Sequence, residues 1–176
     1  MKKMTLWILL LLTAGSHAFA QHQYEVVPDV EEGKYFKGII SRQVLMSDTS
    51  MSKWFMENTK AYTPNAEGLE TIRTHRDSIE LMVFMGTWCH DSHFIIPKLF
   101  TFLDAAGFSN DKVVLIAADR NKKTLSHLAE ALDVKLVPTI IVWKNGKELG
   151  RVVEYGKYGM FDKELGEIVR AGFLAE

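Results

Sequence analysis

Hydrophobic positions along this chain fall into two kinds of run. Ile79 to Met85, Lys112 to Ala118 and Thr139 to Trp143 are short, nearly continuous apolar stretches rich in branched residues, and they read as strands buried on both faces. Elsewhere apolar residues recur three and four apart. Phe94, Ile95, Leu99, Phe102 and Leu103 predict a helix over residues 90–106, ended by Gly107 and kinked or broken early at Pro97. Leu125, Leu128 and Leu132 predict a helix from Lys122 to Leu132, packed inward by those three leucines. Met160, Phe161, Leu165, Ile168 and Val169 predict a last one, from Gly159 or Met160 to Gly172. Asn145-Gly146 predicts a two-residue hairpin turn, because both positions need positive φ, with a return strand over Lys147 to Val153.

Upstream of Ser78 the pattern is weaker. Residues 21–46 read as an N-terminal leader that contains at most a short edge strand, Tyr35 to Ile40. Ser47 or Asp48 caps a helix with Met51, Trp54, Phe55 and Tyr62 on one face. Pro64 then suits the first turn of a second helix, running to about His75 with Leu69 and Ile72 inward. The aromatic residues of this stretch read as core.

Residues 1–20 have the form of a signal peptide: Lys2-Lys3, an apolar run from Leu6 to Leu12, and the small-x-small sequence Ala18-Phe19-Ala20. That run is shorter than the ~20 residues of a membrane span. The expectation is an exported chain, periplasmic or secreted after cleavage following Ala20, with no stable membrane insertion. Removing Lys2 and Lys3 from the 21 basic residues leaves 19 against 22 acidic ones, a net charge of −3. There is no basic stripe of the kind nucleic acid requires.

From residue 78 onward the element order is β-α-β-α-β-β-α. Strands joined through helices pair in parallel and the hairpin adds antiparallel strands, giving an α/β fold with a mixed sheet of four or more strands and helices on both faces. In such folds reactive groups gather at the carboxyl ends of the parallel strands. The first of these strands delivers Trp88-Cys89. Cys89 is the chain's single cysteine, so any disulfide it forms is intermolecular. A thiol between a strand end and a helix start sits where backbone N–H groups and the helix dipole favour negative charge. Cys89 and His93, four apart, share a helix face, with His90 about 100° away. No second Cys–His pair completes a tetrahedral metal site, so His90 and His93 read as solvent-facing groups that tune the thiol or touch a substrate. His22, His75 and His127 read as surface residues.

Four features, in order and spacing, resemble the thioredoxin family over residues 78–173: Trp88-Cys89-x-x-Ser92 at the strand–helix junction, Pro97 eight residues on, Val137-Pro138-Thr139, and the Lys144-Asn145-Gly146 hairpin. Trp88-Cys89-x-Asp91-Ser92 also looks like an exported bacterial branch with W-C-x-D-S in place of W-C-x-x-C. The resemblance implies a thioredoxin-like domain over 47–176 with an N-terminal helical extension. It implies Cys89, Ser92 and Pro138 as catalytic positions, with Trp88, His90, Asp91, Val137 and Thr139 contacting substrate. It further implies a cis peptide before Pro138 that sets the Val137 backbone beside Cys89, ready to pair with an extended substrate. Three residues depart from the family's pattern. Ser92 replaces the resolving cysteine, Val83 the buried acid, and Leu115 the lysine often near that acid. Together they disfavour a dithiol mechanism and leave monothiol exchange, by mixed-disulfide reduction or isomerase-like reshuffling, with no cofactor and no metal. The partners expected are envelope proteins bearing thiols or disulfides, or small thiols. The alternative is a redox-inactive binding module for envelope proteins.

Overall fold

The computed structural model describes residues 23–175. The signal segment and its cleavage point, together with Gln21 and His22, lie outside the described residues.

Six strands form one mixed sheet: β1 (Tyr24–Asp29), β2 (Gly33–Ile40), β3 (Glu80–Met85), β4 (Val113–Ala117), β5 (Thr139–Lys144) and β6 (Lys147–Val153), in the spatial order β1-β2-β4-β3-β5-β6. β3 and β4 are parallel, and the other neighbours are antiparallel. The helices are α1 (Arg42–Ser47), α2 (Thr49–Thr59), α3 (Ala66–His75), α4 (His90–Ala106), the single turn α5 (Leu128–Ala131) and α6 (Phe161–Leu174). None of them is long and apolar enough to cross a membrane.

Successive side chains on a strand point to opposite faces, and the central strands are apolar on both. Leu81, Val83 and Met85 of β3, Leu115 and Ala117 of β4, and Ile140 and Val142 of β5 enter one core cluster. Phe84, Ile116 and Ile141, between them in sequence, enter the other. Five helices contribute to the first cluster, through Leu45, Met51, Phe55, Ile72, Leu99, Phe102, Leu165 and Val169 among others. The second face is covered more thinly, by Ala129 of α5 with Val134 and Val137.

Several expectations need correction. Residues 24–40 are two paired strands rather than a leader, and Tyr35–Ile40 belongs to the second strand from the edge, with β1 outside it. Alternation of Phe36 and Ile40 into the core, with Tyr24 packed on Phe36, holds this hairpin to the sheet. The short helix α1, capped by Ser41, has no counterpart among the elements that the sequence pattern predicts. Asp48 caps α2 by accepting the Ser50 and Met51 amides, and Tyr62 lies beyond that helix. Pro64 precedes α3, whose cap is Asn65. α4 runs unbroken through Pro97 for its full 17 residues.

The stretch 122–132 is not one helix. Lys122, Ser126 and His127 have φ of 61°, 56° and 55°, which ends any α-helix. Only a 3₁₀ turn, Leu125–His127, and α5 remain. Local polar groups take over: Asp119 accepts the Asn121 and Lys123 amides, and the buried Thr124 hydroxyl accepts Ala129 N–H. α3 and α6 meet through glycines. A Cβ on Gly166 would lie 2.5 Å from the Gly68 Cα. His75 is half-buried, stacked on Phe173 at 3.8 Å, rather than free at the surface.

Candidate functional site

β3 ends at Met85, and a tight turn carries the chain to Cys89, the N-cap of α4. The Cys89 amide donates to the Gly86 carbonyl at 3.0 Å, and its carbonyl accepts the His93 amide at 2.9 Å. Its side chain makes no capping bond. The first-turn N–H groups of a helix lack intrahelical acceptors, so the half-buried sulfur stands beside the positive end of α4. Across from it, the thiol donates to the Val137 carbonyl oxygen at 3.4 Å. The Val137–Pro138 peptide is cis.

The turn is fastened on every side. Trp88 Nε1–H donates to the Ala118 carbonyl at 2.9 Å. Gly86 is required beneath the indole, since a Cβ there would come within 2.7 Å of the ring. The buried Thr87 hydroxyl accepts the Phe36 amide of β2 at 2.9 Å. Arg120 lies 5.3 Å from the centre of the Trp88 ring and forks onto Asp29 at 2.6 and 2.8 Å. Lys37 pairs with Asp119 at 2.8 Å. The N-terminal hairpin therefore buttresses the thiol-bearing turn, a role with no visible trace in its sequence.

Of the expected site residues, Trp88 is half-buried beside Cys89 and His90 is exposed. Asp91 is half-buried in the first turn of α4. The Val137 carbonyl faces the sulfur, and its side chain is buried in the apolar cluster against which Cys89 packs. Thr139 offers no side-chain surface: it is buried, and its hydroxyl donates to the Leu136 carbonyl. Ser92 is fully buried, its oxygen accepting the Gly86 amide at 3.0 Å. Pro138 is buried, and its carbonyl accepts the Glu154 amide at 2.7 Å.

His93 departs from the solvent-facing expectation. Its ring stacks on Trp54 at 4.3 Å, and Nε2–H donates to the Thr87 carbonyl at 2.8 Å. Burial pulls its pKa below the usual imidazole value, against the pull of the Thr87 bond. The neutral ring is thus a packing element between α2 and the turn. Among the described residues no group of three or more His, Cys, Asp or Glu side chains converges to hold a metal ion.

Two residues the sequence pattern missed complete the site. Phe94, one of the apolar residues whose spacing predicts α4, is 43% exposed and packs against Tyr155 with ring centres 5.5 Å apart. The Tyr155 hydroxyl donates to Asp91 Oδ1 at 2.7 Å, a bond that helps push its pKa up to about 12. Tyr155 lies in the loop after β6, where no periodicity announces it.

A half-buried thiol at the junction of a central strand and a helix, faced by an X-Pro loop from the next strand, defines a class of thiol-bearing α/β proteins. The thioredoxin family model matches residues 63–165, and the chain belongs to the thioredoxin family. It is 34% identical to the thioredoxin of Echinococcus granulosus over 84 residues, 48% of this chain and 73% of that protein. It is 28% identical to the mitochondrial thioredoxin-2 of Schizosaccharomyces pombe over 81 residues, 46% of this chain and 56% of that protein, less than two thirds of its length. The crystal structure of an HIV epitope scaffold aligns with a TM-score of 0.52 at 15% identity, covering 78% of this chain and 99% of that one, a likeness of fold alone. Val83 and Leu115, at the positions read as those of the family's buried acid and nearby lysine, are register partners on β3 and β4 and fully aliphatic neighbours in the core.

Proposed function

We propose that this chain is an exported thioredoxin-family protein that performs monothiol thiol–disulfide exchange at Cys89, within a bacterial branch marked by W-C-x-D-S. The observation that most supports the reading is the position of the single cysteine: at the N-cap of α4, half-buried, its sulfur 3.4 Å from the Val137 carbonyl. In the exchange, the ionised sulfur attacks one sulfur of a disulfide R–S–S–R′. The S–S bond breaks, Cys89–S–S–R forms, and R′–S⁻ leaves and takes up a proton. A second thiol then loses its proton and attacks the R sulfur, which releases the Cys89 thiolate. Ser92 supplies no resolving sulfur. Release therefore relies on an external thiol, in mixed-disulfide reduction, or on another cysteine of the substrate, in reshuffling. The partners proposed are envelope proteins carrying thiols or disulfides, or small thiols, met in the periplasm or outside the cell after cleavage following Ala20.

The second reading is a redox-inactive binding module for envelope proteins. The exposed apolar side chains of Phe94, Leu136 and Tyr155 favour it, since they offer contact surface without chemistry. Affinity capture from the cell envelope, read on reducing and non-reducing gels, separates the two. Disulfide-linked clients that vanish in Cys89→Ala support exchange. Partners bound non-covalently and equally well by Cys89→Ala support the binding module.

A further inference from the structure

A path of bonded neighbours leads from the Cys89 sulfur through Val137 and Pro138 to Glu154 and Tyr155, and back to α4 at Asp91. The sulfur touches the Val137 carbonyl at 3.4 Å, and the next carbonyl, that of Pro138, accepts the Glu154 amide at 2.7 Å. Tyr155 follows Glu154 and reaches back to Asp91 Oδ1 at 2.7 Å, two residues beyond Cys89 on α4. The lip of the site that Tyr155 forms is acidic. Its hydroxyl is bonded to the Asp91 carboxylate, and Glu154 is the residue before it in the chain. Arg120, over the Trp88 indole at 5.3 Å, is matched by both Asp29 and Glu31. Lys122, over the same ring at 5.5 Å, and Lys98, 2.7 Å from the centre of the Phe94 ring, are the opposing cations that the Asp91 carboxylate has to outweigh.

We propose that Asp91 and Tyr155 set the charge selectivity of the Cys89 site, so that it accepts neutral and cationic polypeptide segments in preference to anionic small thiols. Asp91 supplies the repulsion toward anions. Tyr155 acts through Asp91: its hydroxyl donates to the carboxylate and offsets part of its charge. The proposal rests on the reading of Cys89 as a reacting thiol, and it deepens that reading by naming what the thiol meets.

Alkylation tests the selectivity without requiring redox turnover. In either reagent the Cys89 sulfur displaces iodide from a CH₂ carbon: the C–S bond forms, the C–I bond breaks, and the thiol proton passes to solvent. Iodoacetamide is neutral and iodoacetate anionic, and the change in their rate ratio from one variant to the next reports the charge they meet. At fixed pH and low ionic strength, Asp91→Asn should raise the iodoacetate-to-iodoacetamide rate ratio about 3-fold. Tyr155→Phe keeps the ring on Phe94 but frees the carboxylate, and should lower the ratio about 2-fold. The double variant should match Asp91→Asn, and all differences should fade at about 1 M salt, where the Debye length falls to about 3 Å. A ratio that is unchanged in Asp91→Asn overturns the proposal. Equal acceleration of both reagents in Tyr155→Phe also overturns it, because it marks Tyr155 as a steric cover alone. Failure of the exchange reading looks different: Cys89 forms no mixed disulfides, while the alkylation ratio still follows Asp91.

Discussion

The Ser92 hydroxyl accepts the Gly86 amide at 3.0 Å, and neither group is open to solvent. Where W-C-x-x-C would place a second sulfur, this chain has an oxygen that satisfies a buried backbone N–H at the end of β3. Losing such an acceptor exposes the full cost of a buried, unpaired donor, about 1–3 kcal/mol. Ser92→Ala should therefore lower stability by about that amount in urea unfolding, with an unchanged slope. A loss below about 0.3 kcal/mol would mean that the bond contributes nothing.

Thr87 makes the corresponding contact with the N-terminal hairpin. Its hydroxyl accepts the Phe36 amide at 2.9 Å in a buried setting, 51 residues apart in sequence. Thr87→Val keeps the shape and removes the acceptor. It should cost about 1–3 kcal/mol and selectively speed hydrogen exchange at the Phe36 amide. Exchange at Phe36 as slow as in the parent would separate the hairpin from the thiol-bearing turn.

His93 ties the acid limb of stability to the site. Burial lowers its pKa in the folded state below the unfolded value of 6.5. The stability it contributes is present in full above that unfolded value and is lost as pH falls through the folded one, because burial penalises the charged ring. Stability measured from pH 7.5 downward should fall in the parent and fall less steeply in His93→Gln. Identical slopes would exclude the ring from the titration.

The close approach of α3 and α6 has its own test. A methyl on Gly166 would lie 2.5 Å from the Gly68 Cα, where backbone faces backbone and no side chain can yield. Gly166→Ala should destabilise by at least about 1–3 kcal/mol, read as a lowered thermal midpoint. An unchanged midpoint would show that the helices part at no cost.

The legible parts of the chain were those whose side chains obey a single period or a single turn requirement. β3 and β5 are apolar on both faces and stood out as runs, and Asn145-Gly146 adopts the two positive φ values, 52° and 74°, that its hairpin needs. Residues 122–132 misled because three leucines at helical spacing lie among residues whose local hydrogen bonds and left-handed backbone break the helix. The first two strands were obscured for a different reason. Val26 and Val30 are exposed, Pro28 interrupts the alternation, and of the apolar side chains only those of Phe36 and Ile40 are buried. Cys89 was visible as a lone thiol at a strand–helix junction. Tyr155 was not, because its bond to Asp91 spans 64 residues and neither residue belongs to a periodic pattern. The sequence pattern puts His93 on the helix it occupies, but its half-buried position comes from Trp54, which only the fold brings over it.

Cys89 as a reacting thiol is tested by incubating the reduced protein with a peptide disulfide and following its intact mass. Exchange predicts one peptide added per chain, lost in Cys89→Ala, formed faster than on a free cysteine model at the same pH and released by an external thiol. An adduct that fails to form, or that forms no faster than on the free thiol, would contradict exchange at Cys89 and leave the binding module as the standing account.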